Sequence, residues 1–84
     1  YGLVCAEDGG ILDDVLVYRL GGGYAAVVNA SNREKILAWL ERHRTGLAVE
    51  SEDRTFATAM VAVQGPKAAE VLAGVLAADV GGLR

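Results

Sequence analysis

One cysteine, one histidine, one proline, one tryptophan and one phenylalanine are all that this 84-residue chain holds of those types, and each scarcity removes a class of function. A lone Cys5 cannot close an internal disulfide, and with His43 far along the chain it offers no metal-ligand spacing, so no metal is expected and a reducing compartment is the default. Basic residues are few as well. Eight Lys and Arg against eleven Asp and Glu leave a net charge of -3, scattered without a patch or stripe. Nucleic-acid binding through phosphates therefore has no electrostatic footprint here. Long apolar runs are also missing: 56–63 and 71–80, the longest weakly polar stretches, fall far short of the ~20 residues of a membrane helix. No charged-apolar-cleavage pattern of a signal peptide opens the chain. The expectation is a soluble, intracellular protein with neither nucleic-acid nor membrane partners.

What is plentiful is apolar character. Hydrophobic residues make up 52% of the chain and charged residues 23%. That is too apolar for disorder, and rich for a chain whose size lets it bury only a little over ~60% of its unfolded surface. Part of the surplus is expected to pack against something beyond these residues. Beginning at Tyr1 rather than Met, and ending in Val80-Gly81-Gly82-Leu83-Arg84 without a stop signal, the chain reads as a fragment.

Glycine pairs and triplets punctuate the first third. Tyr1 to Ala6 is short and apolar, Glu7-Asp8-Gly9-Gly10 is a turn, and Ile11 to Leu20 is an apolar strand expected to lie at the centre of its sheet, covered on both sides. Gly21-Gly22-Gly23 then turns the chain into a third strand, Tyr24 to Asn29. The triplet lacks the Lys and the following helix of a phosphate-cradling loop. Ser31-Asn32-Arg33-Glu34 has capping-box spacing and starts a helix from Asn32 to about Arg44, with Arg33, Ile36, Leu37 and Leu40 on one face and Thr45-Gly46 as its stop. Two further strands are read at Leu47–Glu52 and Thr58–Gln64. A second helix opens at Gly65-Pro66 and shows an apolar face of Ala68, Val71, Leu72, Val75 and Leu76. The order β-β-β-α-β-β-α indicates an α+β unit with a mostly antiparallel sheet and two helices.

Two adjacent acids, Asp13 and Asp14, interrupt the apolar second strand. A carboxylate carried into apolar surroundings survives as an anion only when paired or hydrogen-bonded, so this placement needs a reason. Alternation puts Asp13 on the side of Ile11, Val15 and Val17, and Asp14 on that of Leu12, Leu16 and Tyr18. Asp13 reads as structural, capping a bend or pairing with Arg19 or Arg54. Asp14 reads as functional, since acids left inside apolar strands cluster at sites. Asn29 has a competing role as a turn residue. Trp39 reads as packing, Cys5 as a small core residue and His43 as a favourable charge at a helix end.

Tyr1, Glu7, the run Gly9-Gly10-Ile11-Leu12-Asp13-Asp14, Tyr18, the run from Val27 through Asn29 and Asn32 to Lys35, and Gln64-Gly65-Pro66-Lys67-Ala68 together resemble one family over nearly all 84 residues. It is the T-protein of the glycine cleavage system, the tetrahydrofolate-dependent aminomethyltransferase. The resemblance implies that residues 1–84 are a fragment of a folate-binding domain. It also implies a transfer of the aminomethyl carbon from the lipoyl arm of a carrier protein, the H-protein, to tetrahydrofolate, releasing ammonia and giving 5,10-methylenetetrahydrofolate. On that resemblance Asp14 is the catalytic acid, and Tyr1, Asp14, Val27 and Asn29 bind the folate. No metal is implied. Location would be the cytoplasm of a bacterium or the mitochondrial matrix of a eukaryote. The glycine triplet departs from the polar hairpin of relatives, at a turn and not at the site. Two relatives share the fold: a folate-binding protein of iron-sulfur cluster assembly, whose K-G-C-Y-type motif is missing here, and the folate domain of a sarcosine or dimethylglycine oxidising enzyme.

Overall fold

The computed structural model describes residues 1–76, so the tail at 80–84 lies outside the described residues. Three strands, β1 (Gly2–Cys5), β2 (Ile11–Leu20) and β3 (Gly23–Val27), form an antiparallel sheet in the order β1-β2-β3. A 3-10 turn at Ala30–Asn32 leads into α1 (Arg33–His43), and α2 spans Ala68–Val75. The class is α+β with an antiparallel sheet, as expected. The chain divides into two units, Tyr1–Asp53 and Arg54–Arg84.

Turn chemistry sets the register of the first unit. Gly9, at φ 87°, supplies the left-handed residue of the β1–β2 hairpin, whose turn is closed by the Gly9 N–H on the Ala6 carbonyl at 2.9 Å. The Asp8 carboxylate accepts the Gly10 N–H at 2.9 Å, holding the second glycine in place. Between Val4, which faces Asp13, and Cys5, which faces Ile11, the register shifts by one residue, so Leu12 is the extra residue of a bulge. A bulge bends its strand and re-aims the next side chains, and here those are the two acids. On the other edge Leu16 faces Val27 and Leu20 faces Gly23, a hairpin with a two-residue turn.

Helix α1 packs on β2, and the two buried apolar side chains among the described residues, Val15 and Ile36, sit one on each element. Each contributes roughly 1.5–3 kcal/mol relative to an exposed position. The helix buries the expected face only in part, since Leu40 on that face is exposed. Ile36 is fully buried, and Arg33, Leu37 and Trp39 are half-buried beside it. Trp39 stacks on His43 with ring centroids 4.1 Å apart, and the His43 ring nitrogen lies 2.7 Å from the Trp39 carbonyl in the last turn. Cys5 is half-buried.

Four expectations are corrected. β2 is central but not covered on both sides: Val17, Tyr18 and Leu20 are exposed, because α1 covers the strand only near Asp13 and Val15. The capping box does not form. The helical path begins early, with Asn29 capping the 3-10 turn, so Ser31 falls inside that turn and neither cap receives a side-chain hydrogen bond. Leu47–Glu52 and Thr58–Gln64 are not strands among the described residues. A strand closes its backbone hydrogen bonds only on a neighbouring edge, and these two segments meet none there. Pro66 lies before α2 rather than in its first turn. It occupies the second position of a turn closed by the Ala68 N–H on the Gly65 carbonyl at 3.1 Å, which suits its fixed φ. The apolar face of α2 is largely open, with Val71 and Val75 exposed and Leu72 half-buried.

Candidate functional site

Leu3 pairs with Asp14, and Tyr1, two residues earlier and just before β1, reaches the same acid with its hydroxyl. The β2–β3 register, carried past its last pair of Leu16 with Val27, sets Asn29 beside Asp14. Strand alternation thus brings Tyr1, Asp14, Val27 and Asn29 to one face of the sheet, alongside Leu3, Leu16 and Tyr18. That face is open. Leu3, Leu16 and Tyr18 are all exposed, and Val27 is half-buried.

Hydrogen bonds define what the acids do there. The Tyr1 hydroxyl donates to Asp14 Oδ2. The Asn29 amide donates to Asp14 Oδ1 at 2.7 Å and lies 3.1 Å from the Asp14 carbonyl. Each Asp14 oxygen therefore holds one donor and keeps acceptor capacity. The Tyr1 hydrogen bond, followed by that of Asn29, lowers the Asp14 pKa, while burial and the neighbouring Asp13 charge oppose the shift. The same bond to Asp14 raises the Tyr1 pKa, keeping the phenol a donor. Asp14 is consequently a fixed anion and a hydrogen-bond acceptor across the neutral range.

Asp13 lies on the opposite side of the strand and is buried, at 3% exposure. Its Oδ1 accepts from the Asn29 amide at 2.8 Å and the Asn32 amide at 2.6 Å, and its Oδ2 accepts the Asn29 backbone N–H at 3.0 Å. The Asn29 side chain lowers its pKa most, against the opposing effect of burial. Its partners are amides, and Arg19 is not among them. Amides at the entry to α1 satisfy this acid, which makes Asp13 the tie between β2 and the start of the helix. Asn29 does more than turn the chain, since its one amide group reaches both carboxylates. The place of Asn32 after Ser31 signals only a helix start, so the sequence alone does not single it out. The signal that could have found it is a second Asn three residues after Asn29, one helical turn on, facing a buried acid.

Among the described residues, no group of three or more His, Cys, Asp or Glu could hold a metal ion, and no helix is long and apolar enough to cross a membrane. The arrangement defines a class: an α+β domain that presents a hydrogen-bonded carboxylate on the open face of an antiparallel sheet.

Residues 1–82 match the GCVT N-terminal domain, and the chain belongs to that family. It is 48% identical over 83 residues to the aminomethyltransferase of Rubrobacter xylanophilus, covering 99% of this chain and 22% of that protein. It is 49% identical over 81 residues to the aminomethyltransferase of Herpetosiphon aurantiacus, covering 95% of this chain and 22% of that one. With the aminomethyltransferase of Streptomyces coelicolor it shares 45% identity over 85 residues, 100% of this chain and 23% of the relative. The chain thus spans under a quarter of the length of these curated relatives. No solved structure matches it. The family resemblance read from the sequence is met.

Proposed function

We propose that these residues are part of the folate-binding domain of an aminomethyltransferase of the glycine cleavage system, and that Asp14 is its catalytic acid. In the reaction proposed, two carbon–nitrogen bonds form on tetrahydrofolate while the carbon–sulfur bond to the lipoyl arm and the carbon–amine bond break. The two folate N–H protons end on the sulfur and on the leaving ammonia. The observation that carries the reading is the state of Asp14: anionic, held by Tyr1 and Asn29 from two sides, with acceptor capacity left on each oxygen and facing an open apolar surface.

The residues present suit a folate. Leu16, Tyr18 and Val27 offer apolar surface to a flat ring, and Asp14 offers an acceptor to a ring N–H. Tetrahydrofolate would supply the nucleophilic nitrogen. Asp14 accepts a hydrogen bond from that nitrogen, places its lone pair and stabilises the positive charge that develops on transfer. Its lowered pKa makes orientation and charge stabilisation its larger share, with proton removal secondary. Tyr1 and Asn29 fix the carboxylate, and Val27 forms part of the wall. The lipoylated H-protein is the proposed donor partner, in the bacterial cytoplasm or the mitochondrial matrix. In the full-length parent, Asp14→Asn should abolish most aminomethyl transfer, measured as ammonia released with tetrahydrofolate and the loaded carrier, while leaving the fold intact. Unchanged turnover in a folded Asp14→Asn protein overturns the reading.

A further inference from the structure

The Asn29 amide nitrogen faces more acceptors than it has hydrogens. It carries two N–H groups, yet it lies 2.8 Å from Asp13 Oδ1, 2.7 Å from Asp14 Oδ1 and 3.1 Å from the Asp14 carbonyl. One hydrogen is committed to Asp13, which leaves a single hydrogen aimed at Asp14. Where that hydrogen points depends on how Asp13 is held. Asp13 is held in turn by the Asn32 amide at 2.6 Å and by the Asn29 backbone N–H at 3.0 Å. Asn32 could have capped α1 through its own side chain, as residues of its type do, but makes no cap bond. Its amide goes to the buried acid instead.

We propose that Asp13 and Asn32 form a positioning pair for the Asp14 carboxylate, acting through the Asn29 amide. Asn32 locks the Asp13 carboxylate against the start of α1. Asp13 then fixes the rotation of the Asn29 amide, and the remaining Asn29 N–H fixes Asp14 from the side opposite Tyr1. Neither Asp13 nor Asn32 touches substrate in this scheme. The scheme rests on the role of Asp14 proposed above, and it predicts a chain of dependence that a residue merely holding the fold would not show.

A double-mutant cycle in the full-length protein tests it, with kcat for aminomethyl transfer and KM for tetrahydrofolate measured on folded Asn32→Ala, Asn29→Ala and the double variant. Asn32→Ala should lower kcat about tenfold, short of the roughly hundredfold that a full 1 Å misplacement costs. KM should change less than kcat. The same substitution in an Asn29→Ala background should change kcat little, because the connecting amide is already gone. Additive losses, or a kcat of Asn32→Ala equal to that of the parent, overturn the proposal. Asn32→Ser, which keeps a donor but shortens its reach, takes the place of Asn32→Ala in the cycle if the alanine variant does not fold. An Asp14→Asn control separates the two readings: undiminished turnover there refutes the role of Asp14, whereas its loss alongside additive Asn32 and Asn29 effects refutes the positioning pair alone.

Discussion

Tyr1–Asp53 and the described part of the second unit, Arg54–Leu76, are both rich in apolar residues, yet they reach different ends. In the first, the apolar runs of β1, β2 and β3 each meet a neighbouring edge and are paired in register, and Val15 and Ile36 are buried, although 47–52 stays unpaired. In the second, Thr58–Gln64 has as much strand character as β3, but Met60 and Val61 are exposed at 74% and 83% and the segment is unpaired in any sheet. Helix α2 nevertheless forms there. A helix closes its hydrogen bonds within its own segment, whereas a strand is half of a pair. Periodicity marks the face, and pairing makes the strand.

The proposed site lies in the first unit, and the largest expected effect tests that proposal. Asp14→Asn in the full-length parent should lower kcat by about 10²–10³-fold, the range for losing one preorganised charge-stabilising group. Asp13→Asn should be milder in turnover, since an asparagine oxygen still accepts from the Asn29 amide. Steady-state kinetics with tetrahydrofolate-binding controls checks both. Equal loss in the two variants, with binding unchanged, would erase the distinction between the faces of β2.

Stability separates the units next. In the 84-residue chain, Ile36→Ala removes a buried side chain and should cost about 2–5 kcal/mol, seen as a lowered or lost denaturation transition. Val71→Ala, on the open face of α2, should stay within about 0.5 kcal/mol. Comparable losses at both positions would mean that the two units do not differ as described.

Acid should act on the first unit through its carboxylates. Asp13 and Asp14 both have pKa values lowered below 3.8, Asp13 chiefly by the Asn29 side chain and Asp14 chiefly by Tyr1. A depressed folded-state value means that their stabilisation is fully present above 3.8 and is lost as pH falls through the lower folded values. Tyr1 runs the other way. Its value is raised above 10.0, chiefly by Asp14, so that contribution is complete below 10.0 and is lost as pH rises past it. Denaturation midpoints measured against pH should fall at the acid end, and Asn29→Ala should flatten that fall by removing a donor to both acids.

Much of this is legible in the sequence, and the missed partners of Asp13 and the missed strands share one cause. Ile11–Leu20, the two glycine turns and the body of α1 follow from local signals, because a turn residue or a helical face acts within a few positions. The separation of Asp13 from Asp14 across the strand also followed from alternation. The partners of Asp13 did not. They are amides sixteen and nineteen residues away, and they reach it only because the β2–β3 register and the early 3-10 turn bring Asn29 and Asn32 back to the strand. The unformed strands at Leu47–Glu52 and Thr58–Gln64 have the same origin, since local composition does not specify an edge to pair with. The family resemblance points to Asn29, but its bridge between both acids depends on the fold.

Glycine gives effects well below that of Ile36→Ala, with opposite signs in the two units. At Gly9, φ is 87° and an added Cβ meets no atom within 4 Å, so the cost of Gly9→Ala is conformational, not steric. It should amount to about 1–2 kcal/mol, the ordinary penalty of a left-handed L-residue. Gly74 lies within α2, where a Cβ again meets nothing within 4 Å, but its φ is not in the left-handed region. There Gly74→Ala should raise helix stability by up to about 1 kcal/mol, less because the site is near the helix end. Far-UV circular dichroism and thermal melts of the 84-residue chain read both. The hairpin depends on a backbone that only glycine adopts easily, while the helix carries its glycine at a loss. A stabilising Gly9→Ala or a destabilising Gly74→Ala would show that turn geometry and helix propensity do not govern these two units separately.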